Sequence, residues 1–238
     1  MDYKRYCAGA FSGLIEVFTT QPLDVYKTNK QYYKNFSFSS NSISLLDGLK
    51  TKLIGIIPNR TLFWVSQDYF KSKIPQYQWG LNYGLAGCAA GSVQTILDQI
   101  MEINKNQSII SKQSDMQSLC TIINSGKLFH GFRPLLYRNA GFCGIFTYIV
   151  NNYKTGNTWN DFQLAGAAGV VASVATHPYD YVKTQIHGNL SDTRSTLTVL
   201  RSSHPKELMT GMGLRTATGL ITMSIGYTIY NKFIHWLD

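Results

Sequence analysis

The sequence predicts an all-α protein of six transmembrane helices, built from three pseudo-symmetric copies of one unit. Three observations carry this reading. Pro22-Leu23-Asp24-Val25-Tyr26-Lys27, Ile100-Met101-Glu102-Ile103-Asn104-Lys105 and Pro178-Tyr179-Asp180-Tyr181-Val182-Lys183 repeat an acid and a base three apart, at equal intervals of 78 residues. Six segments of spanning length carry few charges, roughly 6–26, 53–70, 81–101, 132–153, 161–179 and 213–236. Small residues four apart, Gly9 with Gly13 and Gly87 with Gly91, let helix backbones approach closely; Ala165, Gly166 and Gly169 hold the third place. An equal-interval repeat is read before any local feature, because each copy is one structural unit.

The units fall at approximately 1–77, 78–156 and 157–238, forming a single domain across 1–238. Each begins with an apolar segment that contains a glycine nine residues before its motif: Gly13, Gly91 and Gly169. Polar stretches at 34–47, 104–127 and 187–207 separate the two segments of each unit. No run of 18 residues is wholly apolar, so a simple hydropathy window finds few spans. Trp79 and Trp159 precede the third and fifth segments, and Trp236 ends the sixth. With six spans these three fall on one side of a bilayer, at the depth tryptophan favours.

The 238 residues include 22 Lys+Arg against 13 Asp+Glu. A basic balance suits nucleic acid, an anionic membrane surface or a small anion. No Lys/Arg run exceeds two, and a soluble basic helical nucleic-acid-binding protein leaves the 78-residue interval unexplained. That class is a distant alternative. Cys7, Cys88, Cys120 and Cys143 have no metal-ligand or redox spacing, and the five histidines form no ligand pair. No metal, cofactor or catalytic constellation is read, so an enzyme is not expected. The Gly87–Gly91 segment lacks the Gly-Lys-Ser/Thr ending of a phosphate loop.

The threefold motif resembles that of the mitochondrial carrier family, whose members carry Pro-x-Asp/Glu-x-x-Lys/Arg near the end of each odd-numbered helix. A second half-motif, an aromatic-basic-Gly triplet, opens the even helices. Leu46-Asp47-Gly48, Phe129-His130-Gly131 and Met209-Thr210-Gly211 occupy its places. Gly55-Ile56-Ile57-Pro58-Asn59-Arg60 and Arg133-Pro134-Leu135-Leu136-Tyr137-Arg138 follow in family-like fashion. The short length and the Asn, Ile, Lys and Tyr content also resemble a compact giant-virus-encoded member.

The resemblance implies the carrier fold with short matrix helices, a location in the mitochondrial inner membrane (the host cell's, for a virus-encoded chain) and exchange by alternating access. It implies a matrix gate of Asp24, Lys27, Glu102, Lys105, Asp180 and Lys183, paired as Lys27 with Glu102, Lys105 with Asp180 and Lys183 with Asp24. Gln31 would brace one pair, with Ile109 and His187 in the other two brace positions. Pro22 and Pro178 would kink their helices, and Ile100 stands where the second proline belongs. A weaker cytosolic gate would use Asp68, Lys71 and Lys154, with Asn151, Asn231 and Ile234 breaking the pattern.

Substrate contacts implied by the family are Gly55, Arg138, Asn139 and Thr218, with Asn59, Arg60 and Arg215 nearby. Arg138 is the main anchor, because a guanidinium binds phosphate or carboxylate through two parallel bonds. No acid lies near it in the chain from Pro134 to Phe142. The expected substrate is a small anion. A nucleotide or deoxynucleotide suits the several arginines and the polar Asn59, Thr218 and Thr222; a carboxylate or keto acid is the alternative. The implied partners are that anion and membrane lipids, cardiolipin among them, although the triplets lack a basic residue. A monomer is expected.

Overall fold

The computed structural model describes residues 3–33 and 49–237. They form an all-α fold. The helices are α1 (Tyr3–Tyr32), α2 (Leu49–Lys73), α3 (Leu81–Ser111), α4 (Asp115–Asn124), α5 (Phe132–Tyr153), α6 (Thr158–Gly188), α7 (Thr196–Ser202), α8 (Pro205–Leu208) and α9 (Met212–Leu237). A short 3₁₀ turn, Gln78–Gly80, leads into α3.

The six long helices close into a ring. Each packs on two neighbours, in the order α1, α2, α3, α5, α6, α9 and back to α1. The all-helical expectation holds. The long helices extend past the apolar segments seen in the sequence. α1, α3 and α6 each continue through the charged motif, because its side chains face inward and meet partners there. Pro22, Pro58 and Pro178 lie inside continuous helices.

Small residues set the helix contacts. A Cβ on Gly91 would stand 2.6 Å from the Asn139 carbonyl oxygen, and one on Gly169 would stand 2.5 Å from that of Gly219. So α3 meets α5, and α6 meets α9, backbone to backbone. The short helices follow local rules. Ser114 caps α4 in a capping box with Gln117, and Ser195 caps α7. Glycines in the left-handed region, Gly131 and Gly211, turn the chain into α5 and α9.

Burial is inverted. Among the described residues, buried polar and charged side chains outnumber buried apolar ones. Large apolar residues lie outward: Phe18 is 64% exposed and Ile54 80%, with Leu85, Ile96, Val171 and Leu220 also exposed. Water-soluble proteins rarely show apolar exteriors over polar interiors. Among the described residues, no helix is long and apolar enough to cross a membrane on hydropathy alone. The polar inner faces lower the mean along each helix.

Candidate transport cavity and ion-pair ring

The charged motifs converge. Asp24 and Lys27, Glu102 and Lys105, and Asp180 and Lys183 sit near the C-terminal ends of α1, α3 and α6. An acid and a base three apart share one helix face. In a closed ring of helices, that face points to the axis. All six side chains are largely buried.

The pairing runs opposite to the expected direction. Lys27 donates to Asp180 at 2.8 Å and Lys183 to Glu102 at 2.5 Å, while Lys105 stands 4.0 Å from Asp24. None of the expected pairs, Lys27–Glu102, Lys105–Asp180 or Lys183–Asp24, forms among these contacts. The spacing fixed which residues meet but not which neighbour each base reaches, because that depends on the sense in which the helices run around the ring. Lys105 also donates to Glu102 of its own helix at 2.9 Å.

Below the ring, Gln31 donates to Asp180 at 3.3 Å and accepts from Thr184 at 2.9 Å. His187, in another of the expected brace positions, contacts Asn106 at 3.1 Å; Ile109 is buried and apolar. Above the ring lies a cavity of about 170 Å³. Arg138, Asn139, Thr218, Asn59, Arg60 and Arg215 line it. Gly55 does not line it. A Cβ there would overlap the Met101 side chain of α3, so this glycine serves helix packing.

Arg138 is saturated. Its guanidinium contacts Asp98 at 3.1 Å, Asp180 at 3.3 Å and Glu102 at 3.6 Å, and donates to the Asn139 side chain. The absence of local acids therefore did not leave it without a counter-charge. α3 and α6 supply carboxylates from afar. Arg60 pairs with Glu16 of α1. Asn59 donates to Asp98 at 2.9 Å. Arg215 differs. Among the described residues it makes no ion pair, its Nε is buried without a partner, and its guanidinium lies 5.4 Å from the centroid of the Phe142 ring.

The lining is graded along the axis. On α2, α5 and α9 the cations come first: Lys52 and Arg60, Arg138, Arg215. Aromatic residues follow, Phe63 and Trp64, Phe142 and Phe146, and Tyr227. At 1.5 Å per residue, Tyr227 lies about 18 Å beyond Arg215 along its helix. The cavity thus has a charged floor and an aromatic upper wall. Its lining holds six basic residues, Lys27, Lys52, Arg60, Lys105, Arg138 and Arg215, against four acids, Glu16, Asp24, Asp98 and Glu102.

Sequence reasoning missed Glu16, Lys52, Asp98 and the aromatic wall. A signal existed for the acids: Glu16, Thr20, Asp24 and Lys27 recur at helical spacing, as do Asp98, Glu102 and Lys105. At the other mouth, Lys71 donates to Asn151 at 3.2 Å, and Lys154 is exposed at the end of α5. Leu46-Asp47-Gly48 lies outside the described residues, as do the side chains of Asn231, Ile234 and Trp236.

A polar, ion-paired cavity inside a ring of long helices with an apolar exterior is the architecture of a membrane solute transporter. No family model matches the chain. Relatives are nonetheless found. The sequence is 26% identical over 221 residues to mitochondrial substrate carrier family protein X of Dictyostelium discoideum, covering 77% of this chain and 72% of that protein. It is 22% identical over 271 residues to mitochondrial glycine transporter B of Danio rerio, covering 97% and 94%. It is 23% identical over 223 residues to the human mitochondrial 2-oxodicarboxylate carrier, covering 78% and 75%. The chain is thus similar in sequence to mitochondrial carriers, as the threefold motif suggested. These relatives are named as carriers and transporters, in keeping with the expectation that this is not an enzyme.

Proposed function

We propose that this protein exchanges small anionic metabolites across the mitochondrial inner membrane by alternating access. The observation that carries the anionic substrate is Arg215, a cation in the cavity that makes no direct ion pair among the described residues and whose buried Nε has no hydrogen-bond partner. A charge held in a membrane interior needs a counter-charge or water. A substrate phosphate or carboxylate supplies one transiently. The six long helices are the spans and the three units the repeats. Their outward apolar side chains face lipid, which explains spans that hydropathy alone misses.

The ion-pair ring is the matrix gate. Buried pairs gain little net energy because desolvation offsets attraction, so a ring of them can close and reopen at modest cost. Gln31 braces the Lys27–Asp180 pair, and Pro22 and Pro178 bend α1 and α6 beneath the cavity. The cytosolic gate of Asp68, Lys71 and Lys154 is the weaker one. The protein works as a monomer, since the ring of helices is complete within one chain. Cardiolipin would bind where Lys127 and Arg133 flank the start of α5.

A nucleotide or deoxynucleotide is the favoured substrate. Phosphates fit the cationic floor, and a base can stack on Phe63, Trp64, Phe142, Phe146 or Tyr227. The cavity is near the about 150 Å³ that accepts a benzene-sized guest, so a nucleotide would extend towards the mouth. A carboxylate or keto acid is the second reading, favoured by the small volume and by the named 2-oxodicarboxylate relative. The test is homo-exchange in liposomes loaded with dATP or with 2-oxoglutarate. Uptake of neither would remove the anion-exchange reading.

A further inference from the structure

The three ring pairs are unequal, and Lys52 of α2 sits at the longest of them. Lys27–Asp180 closes at 2.8 Å and Lys183–Glu102 at 2.5 Å. The third base, Lys105, stands 4.0 Å from Asp24. The Asp24 oxygen it would take is occupied by Lys52 at 2.6 Å. Lys52 is held there by a second bond, donated to the Thr20 hydroxyl at 3.1 Å. It belongs to none of the repeated motifs.

We propose that Lys52 is a positioning residue of the gate, a stand-in partner that travels with Asp24 and loosens the α1–α3 latch. The inference rests on reading the ring as a gate. α1 and α2 are consecutive, packed helices, so Lys52–Asp24 joins parts of one unit. Lys105–Asp24 would join two units. By taking the acid, Lys52 weakens a link between units without adding another. It also alters the cost of opening. Removing one member of a buried pair leaves an uncompensated charge, which is strongly destabilising. When α1 and α3 separate, Asp24 keeps Lys52 and Lys105 keeps Glu102, its partner at 2.9 Å on the same helix. Neither charge is stranded. The ring therefore parts first between α1 and α3, and the other two pairs act as the firmer latches.

The experiment is a set of double-mutant cycles read as melting temperatures of the detergent-solubilised protein, with no substrate needed. With Lys52 present, the Asp24→Asn/Lys105→Gln cycle should show the weakest coupling of the three ring pairs. Lys27→Gln/Asp180→Asn and Glu102→Gln/Lys183→Gln are the comparisons. In a Lys52→Gln background, Asp24–Lys105 coupling should rise by about 3 °C, while Lys27–Asp180 coupling stays unchanged. Lys52→Arg should retain the native pattern. Asp24–Lys105 coupling as strong as the other two in the native background would overturn the proposal, and that comparison needs no Lys52 variant. Coupling unmoved by Lys52→Gln would do the same. If the cycles behave as expected but ring variants leave substrate exchange unaltered, the gate reading fails while the competition for Asp24 stands.

Discussion

Lys27 and Asp180 lie 153 residues apart in the sequence and 2.8 Å apart in the fold, joining α1 to α6. Charge exchange should follow this pairing. Lys27→Asp alone should be destabilising by about 3–5 kcal/mol, since it breaks a buried pair and sets two carboxylates together. Adding Asp180→Lys should restore part of the stability and of the exchange. Lys27→Glu with Glu102→Lys, the combination suggested by spacing alone, should show no such rescue. Thermal unfolding of the three variants decides between the pairings.

Arg215→Gln should reduce anion binding about tenfold to a hundredfold, the loss expected for one charged hydrogen bond. Because Arg215 makes no ion pair among the described residues, the variant should melt close to the native temperature without ligand. A ligand-induced stability shift equal to that of the native protein would remove Arg215 from the binding site.

Arg138→Ala should behave differently. It strips a cation from Asp98, Glu102 and Asp180 together, so stability as well as exchange should fall, by several kcal/mol. Arg138→Lys should recover part of the stability but little of the geometry, since an ammonium lacks the planar fork. Native melting of Arg138→Ala would show that the three carboxylates find other partners.

Gly91→Val should disrupt the α3–α5 contact, because the added carbon meets backbone, the Asn139 carbonyl, rather than a movable side chain. Overpacking of this kind costs about 1–3 kcal/mol or more. Gly213→Ala, where a Cβ meets nothing within 4 Å, is the matched control. Equal melting temperatures for the two variants would contradict the close approach.

The long helices and the members of the ring were legible because both follow from spacing: apolar segments of one length, and an acid and base on one face. Partner choice was not legible. Lys27 could reach Glu102 or Asp180, and only the order of helices around the ring decides. Arg138 shows the same limit. Its carboxylates come from α3 and α6, positions 40 and 42 residues away, which no local window joins. The family resemblance implied Gly55 as a cavity contact, but Met101 of a neighbouring helix fills that side. Lys52 belongs to no repeated pattern, so nothing in the sequence singled it out.

The packing of α1 against α9 closes the bundle into a circle. α1 runs towards the ion pairs and α9 runs away from them, so Tyr3 and Leu237 emerge at the same mouth. A circularly permuted chain, with these two points joined by a flexible linker and new ends cut between Lys154 and Asn157, would keep every interhelical contact of the bundle. Transport should depend on how the helices are arranged around the axis rather than on the order in which the ribosome makes them.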